Sequence, residues 1–170
     1  LHLAIATLMG AGGHIVANSL AVLLALASVG HLTHASLVPL GSVVPPEGRG
    51  RRTLFQAVGI LLIDESYNAN PRSMHAAMTV LGTVPREAFP RRIAVVGDML
   101  ELGDEAKSYH IGLRGSLETA SIDLVFCCGE NMRHLFDILP AEKRGAWAPN
   151  SLDLIEPLLA ALRPGDAVMV

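Results

Sequence analysis

The sequence predicts an α/β chain. Residues 47–170 read as a Rossmann-like, open and mostly parallel sheet with flanking helices, preceded by a helical segment over residues 1–46. Three observations predict this. Short continuous apolar runs recur at residues 60–64, 93–97, 124–128 and 167–170, as suits strands buried on both faces. Stretches of helical period separate the runs, and strand–helix–strand alternation makes βαβ units with right-handed crossovers. A turn-rich stretch, Pro39, Gly41, Pro45, Pro46, Gly48 and Gly50, reads as the connection between two units.

Taken in order, residues 14–29 form the first helix, with Gly30 placed as its C′ residue. Its clean apolar part, residues 15–29, is shorter than the roughly 20 residues a membrane span needs. It is expected to be a buried helix, and no integral membrane segment is expected. The chain lacks the basic start of a signal peptide and does not begin with Met, which predicts an N-terminus that is not the natural one. Residues 52–56 suggest a short antiparallel strand before Gly59. Met74, Ala77, Met78 and Leu81 then mark one helix face, and Ala106, Tyr109, Leu113, Leu117 and Ala120 a second. Met132, Leu135, Phe136 and Leu139 mark a third. Leu152, Ile155, Leu159 and Leu162 mark a fourth, which Pro157 breaks or delays.

Composition narrows the function. A formal charge of −3 gives no general pull toward nucleic acid. Arg49, Arg51 and Arg52 form the one tight cationic cluster, either a solvated loop or a binding group. Cys127 and Cys128 are adjacent within an apolar run and read as small buried hydrophobes. No G-x-x-x-x-G-K-[ST] phosphate loop and no zinc-spaced Cys/His cluster occurs, and Gly10-Ala11-Gly12-Gly13 lacks dinucleotide spacing.

In open α/β sheets, ligands bind beyond the carboxyl ends of the strands. Two polar segments fall there, Asp64-Glu65-Ser66-Tyr67-Asn68-Ala69-Asn70-Pro71 and Gly97-Asp98-Met99-Leu100-Glu101-Leu102-Gly103. Both are therefore expected on one rim. Asn70-Pro71 has a structural reading as N-cap and first helical residue. That leaves Asp64, Glu65, Tyr67 and Asn68 unexplained, a polar group dense enough to bind a ligand. Asp98 and Glu101 suit either ligand contact or entry into the following helix. His14 and Asn18 share a helix face, as a satisfied buried pair or as ligand contacts.

Together these two segments resemble the Mur ligase family. Gly13-His14 followed by Asn18-Ser19-Leu20-Ala21 resembles the helix near the end of that family's central ATP-binding domain, and Gly48-Arg49 resembles the opening of its C-terminal domain. The resemblance implies a remnant of the central domain over 1–46 and the C-terminal domain over 47–170. It implies a cytoplasmic, ATP-dependent acid–D-amino-acid ligase of peptidoglycan synthesis, and hence of cell wall biogenesis, cell shape and cell division. Such an enzyme joins D-alanyl-D-alanine to UDP-N-acetylmuramoyl-tripeptide through an acyl phosphate. Mg²⁺ would be bound mainly by central-domain residues outside this sequence.

By the same resemblance, Asn18 contacts the adenine side of ATP with His14 close by, and Arg49 reaches the nucleotide. Glu65 sits near the ribose, Asp64, Tyr67, Asn68 and Asn70 belong to the same wall, and Asp98 and Glu101 shape the rim facing the dipeptide. Ile15 stands where the family often has Asn, and Asp64-Glu65 where it often has Asp-Asp. The phosphate loop would lie before residue 1, so the chain alone is expected to be inactive, with no catalytic residue assigned within it. Two other readings stay open. One is a nucleotide- or small-acid-binding module without catalysis. The other is a sibling amide ligase of the folylpolyglutamate type, against which the 97–103 loop argues.

Overall fold

The computed structural model describes residues 13–39 and 45–170. The chain divides into two compact units, Leu1–Pro46 and Glu47–Val170.

In the first unit, α1 (Gly13–Ser28) is followed by the short α2 (His34–Leu37). α1 ends as the sequence predicts. Gly30 takes φ +72°, its N–H donates to the Ala27 carbonyl, and the His31 N–H donates to the Leu26 carbonyl at 2.8 Å. These are the two bonds of a Schellman motif. The expectation of a buried helix is corrected. Leu20, Val22 and Leu24 are exposed, Leu24 at 71%, and Asn18 is exposed as well. An apolar helix is buried only where another element lies against it, and the described residues of this unit offer only the four of α2. Among the described residues no helix is long and apolar enough to cross a membrane.

The second unit holds six strands: β1 (Arg51–Phe55), β2 (Ile60–Asp64), β3 (Arg91–Gly97), β4 (Leu124–Cys128), β5 (Arg144–Ala148) and β6 (Asp166–Met169). Their order across the sheet is β1-β2-β6-β3-β4-β5. β1 pairs antiparallel with β2, and every other pairing is parallel. Four helices flank the sheet: α3 (Pro71–Gly82), α4 (Ala106–Thr119), α5 (Met132–Ile138) and α6 (Ile155–Ala161).

Strand residues alternate between two cores. Ile63, Ala94, Val96, Val125, Cys127, Ala167 and Met169 pack with Met78 of α3, Leu117 of α4 and Leu135 of α5. Ile93, Phe126 and Val168 face the other way, toward Leu154 and Leu158. The chain steps from β3 to β4 to β5 with helices on one face, then returns to β6 with α6 on the other. Reversing direction while keeping the crossover hand requires that change of face. The same alternation sends Cys127 and Cys128 to opposite faces, and both are free thiols.

The observed elements differ from the expected ones in identifiable ways. β5 has no apolar run because it is an edge strand with two exposed residues at its start. On α4 the buried face runs through His110, not Tyr109. His110 is fully buried and Tyr109 is 42% exposed. Either residue satisfies the spacing, and side-chain hydrophobicity alone favours the wrong one. Of the stripe Leu152, Ile155, Leu159 and Leu162, the first three face solvent; Leu162 packs inward as expected, together with Leu154, Leu158 and Ala161. A 3₁₀ turn at Leu152–Leu154 precedes α6, and its tighter winding shifts the phase of a stripe read through one helix. Pro157 lies in the first turn of α6, where a missing N–H is tolerated.

Candidate functional site

β2, β6 and β3 are parallel neighbours, so the segments after β2 and β3 leave the same edge of the sheet. Glu65, Ser66, Asn68, Met74, Gly97 and Asp98 line one cavity there of about 280 Å³.

The wall after β2 is built by two loops locked face to face. Asp64 accepts the Gly48 N–H at 2.8 Å through one carboxylate oxygen. Through the other it accepts the Ser66 hydroxyl at 2.6 Å and the Ser66 N–H at 3.2 Å. The Ser66 hydroxyl is the leading reason its pKa lies below the usual carboxylate value, with the two amides and the Arg51 charge acting in the same direction against some burial. The Gly50 N–H donates to the Asp64 carbonyl at 2.7 Å, and the Tyr67 N–H to the Gly48 carbonyl at 3.1 Å. Gly48 has φ +72°, and a Cβ there would come within 2.8 Å of the Tyr67 nitrogen. Glycine is required on both counts.

This contact sets Arg49 over Tyr67, with the guanidinium 3.8 Å from the ring centroid, well inside cation–π range. Tyr67 is 66% exposed. Arg49 and Asn68 are also exposed, and Glu65 is half-buried. Arg51 pairs with Glu47 at 2.8 Å. Arg51 and Arg52 belong to β1, so the cationic cluster is a strand with one neighbouring loop residue. Asn70 caps α3 by accepting the Ser73 N–H at 2.9 Å, while the Ser73 hydroxyl accepts the Asn70 N–H at 3.0 Å. Pro71 opens the helix.

After β3, Asp98 does not serve the next helix in sequence. It holds the start of α5, accepting the Met132 N–H at 2.7 Å and both the backbone and side-chain N–H of Asn131. A Cβ on Gly129 would overlap the Asp98 carboxylate. Trp147 holds the same turn from β5, its indole N–H donating to the Gly129 carbonyl at 2.8 Å. Glu101 stands exposed at φ +60°. Burial is the main cause that pushes the Cys127 thiol up to about 12, and the Asp98 charge adds to it; the thiol therefore stays protonated.

Arg49, Asp64, Glu65, Tyr67, Asn68, Asn70 and Asp98 thus gather along one edge of the second unit. The acceptors of Asp64, Asn70 and Asp98 are engaged within the chain, so these residues hold the walls. Arg49, Tyr67, Asn68 and Glu101 face outward. Asn18 lies on α1 in the other unit, and the His14 side chain lies outside the described residues. The turn Gly129–Asn131 escaped the sequence reading although it too is a polar segment directly after a strand. Among the described residues no three His, Cys, Asp or Glu side chains cluster so as to hold a metal ion.

A family model described as Mur ligase, glutamate ligase domain, matches residues 50–170. The chain is 38% identical over 122 residues to the UDP-N-acetylmuramoyl-tripeptide–D-alanyl-D-alanine ligase of Escherichia coli (strain K12), covering 70% of this chain and 25% of that protein. It is 31% identical over 162 residues to the ligase of the same name from Synechocystis, covering 94% and 34%. The chain thus spans between a quarter and about a third of these relatives. A crystal structure of MurF from Acinetobacter baumannii superposes with a TM-score of 0.73 at 27% identity over 93% of this chain and 34% of that one. MurF ligase from Thermotoga maritima, crystallised with ADP, shares the fold at a TM-score of 0.74, 24% identity and the same coverage.

Proposed function

Because the chain belongs to the Mur ligase family, through its glutamate ligase domain, we propose that it works within an ATP-dependent ligase of peptidoglycan precursor synthesis. The reaction joins D-alanyl-D-alanine to UDP-N-acetylmuramoyl-tripeptide by way of an acyl phosphate, in the cytoplasm. Residues 47–170 act as its C-terminal domain and residues 1–46 as the closing part of its central ATP-binding domain.

The observation that carries the reading is the Arg49–Tyr67 stack beside Glu65, on the same edge as Asp98. A guanidinium held over an exposed phenol offers a cation for phosphate and a flat face for a base. The Asp64 carboxylate fixes that stack without itself reaching outward. Arg49, Glu65, Tyr67 and Asn68 would line the nucleotide side of the second unit; His14 and Asn18 are, by the family resemblance, the nucleotide contacts proposed for the first unit. Glu101, and the turn held by Asp98, would face the incoming dipeptide. Mg²⁺ would be held mainly by central-domain residues outside this sequence. Phosphoryl transfer is chiefly positioning and charge stabilisation, and these residues would supply the positioning.

The test is release of inorganic phosphate by the whole ligase carrying this chain. Release that requires ATP, the tripeptide nucleotide and D-alanyl-D-alanine together is the expected result. Nucleotide binding with no turnover would replace the ligase by a non-catalytic binding module. Turnover with glutamate in place of the dipeptide would replace it by a folylpolyglutamate-type enzyme.

A further inference from the structure

We infer that His110 is a positioning residue for the dipeptide side of this rim, an inference that rests on the ligase reading above. His110 occupies a core position of α4 between Ala106 and Leu113, with none of its surface exposed. A buried imidazole is tolerated when both ring nitrogens are paired. Here Nδ1 lies 2.6 Å from the Ala106 carbonyl, which can only accept, so Nδ1 carries the proton. Nε2 lies 3.0 Å from the Met99 amide nitrogen, which can only donate, so Nε2 is bare. The partners select the neutral ring and one tautomer.

Met99 immediately follows Asp98. Its amide is held by His110, while the Asp98 carboxylate holds the Asn131 and Met132 amides. The Met99 side chain is buried, and Leu100 is 73% exposed. The loop therefore leaves the sheet at a point His110 determines, and Leu100 and Glu101 project from there. Packing alone is satisfied by any apolar residue of similar volume. Only an acceptor at the Nε2 position pairs the Met99 amide. The Asp98 carboxylate, 3.7 Å from Nε2, is already bonded to the α5 amides.

Two conservative variants in the whole ligase separate positioning from packing. In His110→Gln the side-chain carbonyl reaches the Nε2 position and keeps the Met99 bond. In His110→Asn the shorter amide reaches only the Nδ1 position and loses it. The expected result is a KM for D-alanyl-D-alanine raised about tenfold in His110→Asn, with the KM for ATP within about twofold. His110→Gln should restore the dipeptide KM to within about threefold of wild type. Equal rises in both KM values, or no rescue by Gln, would overturn the inference while leaving the ligase reading intact. A wild type without dipeptide-dependent turnover would overturn both. Should His110→Asn fail to fold, ¹⁵N NMR of histidine-labelled wild type decides. A bare Nε2 supports the assignment, and a protonated Nε2 overturns it.

Discussion

The guanidinium of Arg49 lies 3.8 Å from the centre of the Tyr67 ring, and the two residues are brought together by one backbone approach, Gly48 against Tyr67. The stack is exposed, so it contributes little to folding, on the order of 0.5–1 kcal/mol. Replacing Arg49 with Ala in the whole ligase should raise the KM for ATP about tenfold, the size of a lost charge-assisted hydrogen bond. Urea denaturation should shift by no more than ~1 kcal/mol. Asn18→Ala should act in the same direction. If neither substitution alters the kinetics, both residues leave the proposed nucleotide site.

Asp64 makes a different prediction, because its carboxylate is committed to the chain itself. Its three hydrogen bonds hold its pKa below the unfolded value of 3.8. A group depressed in this way stabilises the fold fully above the unfolded pKa, and the stabilisation is lost as pH falls through the folded pKa. Asp64→Asn should therefore cost ~1–3 kcal/mol at pH 7. The gap from wild type should narrow progressively below about pH 3.8. Denaturation curves for both proteins between pH 7 and pH 2.5 measure this, and a gap that stays constant over the range contradicts it.

Gly48 and Gly50 both adopt positive φ, +72° and +86°, yet their surroundings differ. A methyl on Gly48 meets backbone atoms of Tyr67, which cannot step aside. A methyl on Gly50 meets the end of the Glu65 side chain at 3.1 Å, which can. Both alanine variants pay the left-handed conformation, roughly 1–2 kcal/mol. Gly48→Ala should be the more destabilised, and it should disturb ATP binding more than Gly50→Ala does, because it moves the Tyr67 backbone and not only the end of the Glu65 side chain. Equal stability of the two variants would refute the close approach.

The 170-residue chain by itself should release no phosphate from ATP in the presence of the two substrates. It contains no glycine–lysine phosphate loop, and phosphate clamps and metal ions together supply several kcal/mol of transition-state stabilisation. At about 1.4 kcal/mol per tenfold of rate, turnover should fall below detection. A phosphate-release assay with purified chain checks this, and measurable dipeptide-dependent release would contradict it.

Much of the scaffold was legible in the amino-acid order because its signals are local. β4 is buried on both faces and β2 is at least partly covered on both, so each reads as a short apolar run with the bounds read from it. Asn70-Pro71 and Gly30 act within a few residues of themselves, and cap chemistry needs nothing more distant. Strand-end logic alone was enough to put Glu65 and Asp98 on a common edge.

Other features depended on partners far along the chain. The edge strand β5 is half exposed and carries no apolar signature. The position of β6 between β2 and β3 follows from a crossover on the opposite face. Asp98 looks like an acid preparing its own next helix, yet it holds α5, and His110 reaches Met99 eleven residues back. A local pattern reports burial and turn chemistry because these depend on neighbouring residues. Which donor a buried acceptor meets is decided only when the sheet brings separate strand ends within hydrogen-bond reach.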